Sequence, residues 1–256
     1  MTWTTGAEAQ DEAPPPRRLA LFDLDHTLID FDSGLAWTRF LQSRGVLPRS
    51  AEETYIGYAR QYVAGTLDIH AMHHAGIAPL ARHPLEVLQK WARDFQAAMA
   101  PRLRDDMRAL VRRHQQAGDL CAIVTATTRL ISEPFAHLFE VPHLVATEAE
   151  VFNNRLTGAI DGEPCFHELK LVRVAEWLAE GLRPPRTLAD FSETWFYSDS
   201  ANDLPLLQAV THPVAVRPDE RLRVHALARS WTIVEDPASR HGSGSAGPSA
   251  DGPLGG

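Results

Sequence analysis

The segment LALFDLDHTLIDFD, residues 19–32, constrains this chain more than any other. Its first four residues are apolar and predict a buried strand. Four aspartates follow within ten positions: Asp23, Asp25, Asp30 and Asp32. Because buried charge is costly unless it is paired or bound to a metal, a strand that ends in this way predicts a functional site and not a simple turn.

The composition is typical of a globular protein of the cytoplasm. The 256 residues suffice for one full domain and a smaller insert, and 44% of them are apolar. The formal net charge is −8 and no basic cluster dominates any segment, which argues against nucleic-acid and membrane-surface partners. No apolar run reaches transmembrane length, and the N-terminus lacks the core of a signal peptide. The sequence does not indicate an oligomeric state.

The two cysteines, Cys121 and Cys165, lie far apart in the sequence. We expect both to be small buried hydrophobic residues in a reducing compartment. Polar segments flank the rest of the chain. Residues 1–16 end in three prolines, and residues 237–256 are rich in glycine and serine. Such compositions predict a disordered leader and a disordered tail.

Between these ends the periodicity changes from helical to alternating. Residues 33–100 show helical spacing without a clear strand, as in Trp91, Phe95 and Met99, and predict several packed helices. Later strands are predicted at 120–124, 143–146, 194–197, 214–216 and 232–234, a hairpin at 151–160, and helices near 103–117, 128–139 and 169–178. Alternating strands and helices predict an α/β fold with a parallel sheet.

The residues just after the predicted strands form one chemically consistent set. They are Asp23, Asp25 and Thr27; Thr125, Ala126, Thr127 and Thr128; Ser198, Asp199, Ser200, Ala201, Asn202 and Asp203; with Lys170 opening a helix between them. Ligands of parallel sheets bind beyond these strand ends. Hard oxygen ligands favour Mg²⁺, and spare carboxylates can act as nucleophile or as general acid and base. The set predicts phosphoryl transfer through an aspartyl-phosphate, with Lys170 and Thr125 holding phosphoryl oxygens.

Asp23 and Asp25 are separated by one residue, and this spacing has a chemical reason. Alternate side chains of an extended chain share a face, so the spacing aims both carboxylates at one site. One can attack phosphorus while the other handles the proton of the leaving group. A divalent cation offsets the repulsion between the attacking carboxylate and the phosphate.

Four segments, in this order, make the chain resemble the haloacid dehalogenase (HAD) superfamily. DLDHTL resembles its first motif, IVTATT its second, Lys170 its third and YSDSANDLPLL its fourth. The chain is similar to subfamily IB, the phosphoserine-phosphatase-like group, whose helical cap lies between the first and second motifs. The resemblance implies a Rossmann-like core over 17–31 and 102–236, with an inserted all-helical, C1-type cap over 32–101.

The resemblance also implies roles for the residues at the strand ends. Asp23 would be the nucleophile, and Asp25 the general acid and base. Mg²⁺ would be held by the Asp23 carboxylate, the Asp25 backbone carbonyl and Asp199, with Asp203 supporting its waters. The implied phosphate-binding residues are Thr125, Ala126, Thr127, Lys170 and Asn202. The implied partner is a small phosphate ester.

Two departures from the phosphoserine phosphatase pattern concern the substrate. The glutamate that takes the ammonium of phosphoserine is replaced by Asp32, which is still acidic. The cap arginine that clamps its carboxylate is replaced by His74, a poorer partner for a carboxylate. These changes favour an amino-alcohol phosphate, and the DSxxAW and YxxGTLDIHA segments resemble a branch that includes histidinol-phosphatases.

Histidinol phosphate, an intermediate of histidine biosynthesis, is therefore the leading hypothesis for the substrate. Candidate contacts to its imidazole and amine are Asp32, Trp37, Arg60, Tyr62, His70, His74 and Arg129. The alternatives are phosphoserine (serine biosynthesis), another small phosphomonoester or a lipid phosphate, a phosphotransferase, and a non-catalytic phosphate-binding module. His70, His73 and His74 lack acidic or cysteine partners at ligand spacing, so a solvated or substrate-facing helix is the preferred interpretation over a metal site.

Overall fold

A single mostly parallel sheet organises the protein, for which a computed structural model describes residues 17–235. The described strands are β1 (Arg18–Phe22), β2 (Leu120–Thr128), β3 (His143–Phe152), β4 (Arg155–Asp161), β5 (Glu193–Ser198), β6 (His212–Val216) and β7 (Thr232–Val234). Their order in the sheet is β4-β3-β2-β1-β5-β6-β7. Only the β3–β4 pair of this described sheet is antiparallel. The predicted leader and tail lie outside the described residues.

Helices cover both faces of this sheet and fill the insert. They are α1 (Ser33–Ser43), α2 (Ser50–Ala64), α3 (Ile69–Ile77), α4 (Leu85–Met99), α5 (Asp105–Gln116), α6 (Arg129–Leu138), α7 (Glu168–Glu180), α8 (Leu204–Ala209) and α9 (Glu220–Ala228). The segment between β1 and α5 holds helices α1–α4 and short turns. The α/β fold with an inserted helical segment is therefore confirmed. No described helix is both long and apolar enough to cross a bilayer.

The alternation of side chains along the central strand divides the core in two. Phe22 of β1 faces a cluster that includes residues of α5 and α6 and continues into the insert at Trp37 and Phe95. Leu21 faces the opposite cluster, which includes residues of α7, α8 and α9. Because one apolar cluster spans the sheet and the insert, we expect the insert to be stabilised by packing on the sheet.

The β3–β4 region differs from the prediction of a short strand at 143–146 followed by a separate hairpin. β3 is one strand that pairs in parallel with β2 at its start and antiparallel with β4 at its end. The predicted hairpin turn at Asn153 and Asn154 is present, with φ angles of 47° and 61° that suit a tight two-residue turn. The predicted strand ends too early because the acidic residues Glu148 and Glu150 follow, where the strand becomes more exposed.

The hairpin also supports the insert. Nδ1 of His74 in α3 lies 2.9 Å from the carbonyl oxygen of Gly158 in β4. Gly158 has a φ of +99°, and a Cβ atom there would lie 3.3 Å from the Cβ of Ala78 at the end of α3. Glycine thus permits both the backbone conformation and the close approach of the helix.

Candidate active site

A buried cluster of charges lies at the carboxyl end of β1. Nζ of Lys170 donates hydrogen bonds to Oδ1 of Asp23 and to Oδ2 of Asp203, both at 2.8 Å. The three side chains are at most 9% exposed. Burial by itself lowers the pKa of Lys170, but the charges of Asp203 and Asp23 outweigh it and raise that pKa well above its usual range. The ammonium therefore stays charged and bridges two carboxylates.

The turn after β1 places the hydroxyl of Thr27 against Asp23 and against a third carboxylate, that of Asp199. Oγ1 of Thr27 lies 3.3 Å from Oδ2 of Asp23 and 3.1 Å from Oδ1 of Asp199. The turn doubles back at His26, which has a φ of 57°. Arg217 donates hydrogen bonds to the carbonyl oxygens of His26 and Thr27 at 2.8 and 2.7 Å. These contacts hold the Thr27 hydroxyl over the nucleophile candidate.

The cluster carries more negative than positive charge. Burial raises the pKa of Asp23, and Asp203 raises it further, against the opposing effect of Lys170. Burial, with the charges of Asp23 and Asp203, also raises the pKa of Asp199 well above its usual range. Three carboxylates face one ammonium, and an additional cation would reduce the repulsion among the carboxylates.

The donor atoms of this cluster fit Mg²⁺. The carboxylates of Asp23 and Asp199 and the backbone carbonyl of Asp25 are hard oxygen donors, and Mg²⁺ is usually held by one or two carboxylates with waters and phosphate. Within residues 17–235, no three His, Cys, Asp or Glu side chains form a metal site on their own. Oδ2 of Asp203 accepts hydrogen bonds from Lys170 and, at 2.7 Å, from Ser198. Asp203 is thus placed to support the cluster from behind.

Asp25 differs from the carboxylates of this cluster in that neutral groups donate its hydrogen bonds. Its Oδ1 accepts a hydrogen bond from the backbone N–H of Ser33 at 2.6 Å, and its Oδ2 accepts one from Oγ1 of Thr127 at 2.8 Å. Burial, followed by the charge of Asp32, raises the pKa of Asp25 to about 7. A carboxyl group that titrates near neutrality is well suited to give and take protons.

The irregular end of β2 provides the hydroxyl and amide groups around these acids. The pairing of β2 with β3 shifts register between Thr125 and Thr128, so Ala126 and Thr127 leave the regular ladder. Oγ1 of Thr125 accepts a hydrogen bond from the backbone N–H of Thr127 at 3.1 Å. Thr147 of β3 supports this end of β2 by donating to the carbonyl oxygen of Ala126 at 2.8 Å.

A tyrosine of the insert contacts the fourth motif from the opposite side. The hydroxyl oxygen of Tyr62 in α2 lies 3.0 Å from Oγ of Ser200. Burial raises the pKa of Tyr62, and the charge of Asp203 raises it further, while Ser200 and Asn202 act in the opposite direction through hydrogen bonds. The insert therefore lies over the carboxyl end of β5 and brings a neutral phenol next to Asn202.

Besides Tyr62, the substrate candidate Asp32 lies close to the catalytic groups, whereas Trp37 lies in the core of the insert. Oδ1 of Asp32 accepts hydrogen bonds from the backbone N–H of Leu35 at 2.8 Å and from the hydroxyl of Tyr55 at 2.6 Å. Asp32 therefore caps α1 and, through its charge, acts on Asp25. Trp37 is 3% exposed and packs in the apolar core of the insert, and one part of it lines the cavity described below.

The other candidates lie elsewhere. Arg60 and His70 are exposed, and His74 contacts β4. Arg129 lies at the start of α6, where it forms a salt bridge with Glu148 at 2.7 Å and donates to the carbonyl oxygen of Leu144. Its guanidinium is thus used to fasten α6 to β3. Sequence spacing cannot distinguish such a pair from a substrate contact, because the partner lies on another element.

Between the insert and the sheet lies a cavity of about 250 Å³, and Thr127 is one of its lining residues. Its walls include Trp37, Tyr55, Tyr58, Met72 and His73, and none of its lining residues carries a charged Lys, Arg, Asp or Glu side chain. His73 is 5% exposed, and its Nε2 atom is buried without a hydrogen-bond partner among the described residues. Burial, followed by the charge of His70, lowers the pKa of His73 to about 4, so its imidazole is neutral at pH 7.

Several groups of this site were not identified from the sequence. Ser33 and Tyr55 orient the acids Asp25 and Asp32. His73 was noted only as a member of a histidine cluster. The helical spacing of His70, His73 and His74 contained a usable signal, since the member that shares a face with Ile77 and Leu80 turns inward.

Comparisons with known proteins agree with this geometry. The sequence profile described as haloacid dehalogenase-like hydrolase matches residues 20–208, which is most of the chain. The chain belongs to this family. It is similar to a histidinol-phosphatase from Neisseria meningitidis serogroup C, with 39% identity over 221 residues that cover 85% of this chain and 98% of that protein.

Solved structures support the same placement. A Bordetella pertussis Tohama I protein described as being of unknown function is 42% identical, with a TM-score of 0.79 over 86% of this chain and 98% of that one. A substrate-bound phosphoserine phosphatase has a TM-score of 0.59 at 16% identity, over 89% of this chain and 97% of that one, and shares the fold alone. The family match and the similarity to the histidinol-phosphatase together support that this haloacid dehalogenase-like hydrolase is a phosphatase, as its motifs predict.

Proposed function

We propose that this phosphatase hydrolyses histidinol phosphate through an aspartyl-phosphate on Asp23, with Mg²⁺ as its cofactor. The observation that carries the substrate assignment is the 39% identity to the Neisseria meningitidis histidinol-phosphatase, which extends over 98% of that protein. The reaction itself is supported by the arrangement of Asp23, Asp25 and Lys170 at one edge of the sheet.

In the first step, a carboxylate oxygen of Asp23 forms a bond to phosphorus as the bond from phosphorus to the ester oxygen breaks. Lys170, fixed against Asp23, neutralises charge on the phosphoryl oxygens, and the hydroxyl and amide groups of Thr125, Ala126 and Thr127 bind them. Mg²⁺, held by Asp23, Asp199 and the Asp25 carbonyl, would reduce the repulsion between the carboxylate and the phosphate dianion.

Asp25 handles the protons. In its protonated form it donates a proton to the departing alkoxide, and in its ionised form it then removes a proton from a water molecule. The oxygen of that water attacks phosphorus and the acyl-phosphate bond breaks. Inorganic phosphate is released, and the Asp23 carboxylate is restored. A pKa of about 7 lets the same carboxyl group perform both transfers near neutral pH.

The helical insert acts as a cap, and we propose that it spans residues 32–101. Its contact with the sheet through Tyr62 and Ser200 closes the site on the side of the fourth motif. A closed cap excludes water while the acyl-phosphate forms. We propose no further partner than the small phosphate ester.

The surroundings of the site favour a cationic amine over a carboxylate in the leaving group. Asp32 provides negative charge beside Asp25, near which the first carbon atoms of the alcohol would lie. The adjoining cavity has no lysine or arginine in its walls. The carboxylate of phosphoserine would be buried there without a cation, whereas histidinol phosphate has no carboxylate.

A side-by-side substrate screen tests this proposal. We expect kcat/KM for histidinol phosphate to exceed that for phosphoserine by about 10-fold or more, because only the carboxylate is penalised by the uncharged cavity. Phosphate release measures both reactions, and added acceptor alcohols reveal any phosphotransferase product. A preference for phosphoserine, or transfer to alcohols in place of hydrolysis, would contradict the assignment.

Removal of the metal gives a second prediction. A chelator is expected to stop turnover and added Mg²⁺ to restore it, and Mg²⁺ should raise the unfolding temperature by relieving repulsion between Asp23 and Asp199. In Asp199→Asn both responses should shift to Mg²⁺ concentrations about 10-fold higher or more, while the exposed control Asp30→Asn should respond like the parent protein. Activity that is indifferent to chelator would refute the metal assignment.

A further inference from the structure

One residue that lines the cavity beside Thr127, His73, carries a buried ring nitrogen without a hydrogen-bond partner among the described residues. His73 lies on the face of α3 that also carries Ile77, and both side chains are at most 5% exposed. A buried polar atom without a hydrogen bond costs about 1–3 kcal/mol, and an apolar side chain at this position would avoid that cost. Because His73 also lines the cavity, its imidazole lies where a bound molecule can supply a hydrogen-bond partner.

The chemistry of the cavity restricts what that molecule can be. The imidazole of His73 is neutral, so it offers one donor and one acceptor nitrogen and no charge. Trp37, Tyr55 and Tyr58 provide flat aromatic walls. A volume of about 250 Å³ lies below the lower end of drug-sized ligand pockets, which is about 300 Å³. The occupant is a small, uncharged planar group that carries a hydrogen-bonding atom.

The cavity also adjoins the reacting groups through one residue. Thr127, which lines it, donates a hydrogen bond to the carboxylate of Asp25. An ester oxygen placed at Asp25 therefore leaves the far end of the alcohol directed towards α3. In histidinol phosphate that far end is an imidazole ring.

We propose that His73 determines substrate specificity by forming one hydrogen bond from its imidazole to a ring nitrogen of a heteroaromatic leaving group. The inference rests on the proposed function and adds the residue that reads the ring. His73 is distinct from the acids that perform the chemistry, and it acts by holding the end of the leaving group. The adjacent His74 does not take this part, because its ring faces β4.

The test compares histidinol phosphate with phenylalaninol phosphate, which keeps the amine and the ester but lacks ring nitrogens. The parent enzyme is expected to favour histidinol phosphate in kcat/KM by about 10- to 100-fold, because the carbocyclic ring leaves the His73 imidazole without this hydrogen bond. His73→Leu should abolish most of this preference, mainly through KM for histidinol phosphate. His73→Gln, which keeps a hydrogen-bonding side chain, should retain part of it.

The matched control is His70→Gln, on the same helix but exposed and outside the cavity wall, and it should leave the preference unchanged. The ratio of the two kcat/KM values does not depend on the fraction of folded enzyme, so partial misfolding of a variant does not obscure the result. A parent preference that persists in His73→Leu would overturn the role of His73 alone. A parent enzyme that hydrolyses other esters but not histidinol phosphate would overturn the proposed substrate and this inference together.

Discussion

Replacement of Asp23 by Asn is expected to reduce turnover of the phosphate ester by more than about 10⁴-fold without unfolding the protein. The amide has nearly the shape of the carboxylate, and its oxygen can still accept the hydrogen bond from Lys170. It is, however, a poor nucleophile and cannot form the acyl-phosphate. Because the change also removes one of several crowded carboxylates, the free energy of unfolding should be equal to or above that of the parent.

Phosphate release measures the loss of turnover, and circular dichroism with chemical denaturation measures the fold. Asp30→Asn is the matched control, since Asp30 follows the same strand but is exposed. It should keep parental activity within about two-fold. Reduction of the quenched parent enzyme with borohydride should convert the carboxyl group of Asp23 to an alcohol, which locates the acyl-phosphate. Substantial turnover in Asp23→Asn would contradict the assignment of Asp23 as the nucleophile.

Replacement of Lys170 by Met is expected to abolish activity and also to lower the free energy of unfolding, by about 3–5 kcal/mol. The ammonium is the group that lies between Asp23 and Asp203, and all three side chains are buried. Methionine fills a similar volume but leaves two carboxylates facing each other without a cation. Denaturant titration near pH 7 measures the change.

A double variant separates repulsion from lost packing. Lys170→Met combined with Asp203→Asn should recover part of the lost stability, because one carboxylate of the unbalanced pair is gone, but it should remain inactive. Lys90→Met is the control, since Lys90 forms only a surface ion pair with Asp94 and should change stability by less than about 1 kcal/mol. If Lys170→Met were as stable as the control, the ion cluster would not be the structural element described here.

The catalytic end of the sheet could be foreseen because it depends on local patterns. An apolar strand followed by Asp23 and Asp25, and a second one followed by Thr125, place their polar ends at one edge of any parallel sheet. The resemblance to the superfamily then singled out Lys170 among the charged residues of the chain. The structure places its ammonium 2.8 Å from the Asp23 carboxylate.

The substrate-facing side was predicted less well, because the identity of the inward-facing residues depends on how helices pack. The place of the cap arginine pointed to His74, yet that ring contacts β4, and His73 is the residue that lines the cavity. Likewise Arg129 was a candidate contact until its pairing with Glu148 became visible. Neither partner could be inferred from its distance along the sequence.

The sequence by itself determined the α/β class, the family and the acids at the end of β1, because strand periodicity and motif order are properties of short segments. The tertiary structure alone decided which groups of the insert face the reacting carboxylates, and that one buried imidazole lacks a partner. The physical reason is that burial and hydrogen bonding are set jointly by elements far apart in the chain.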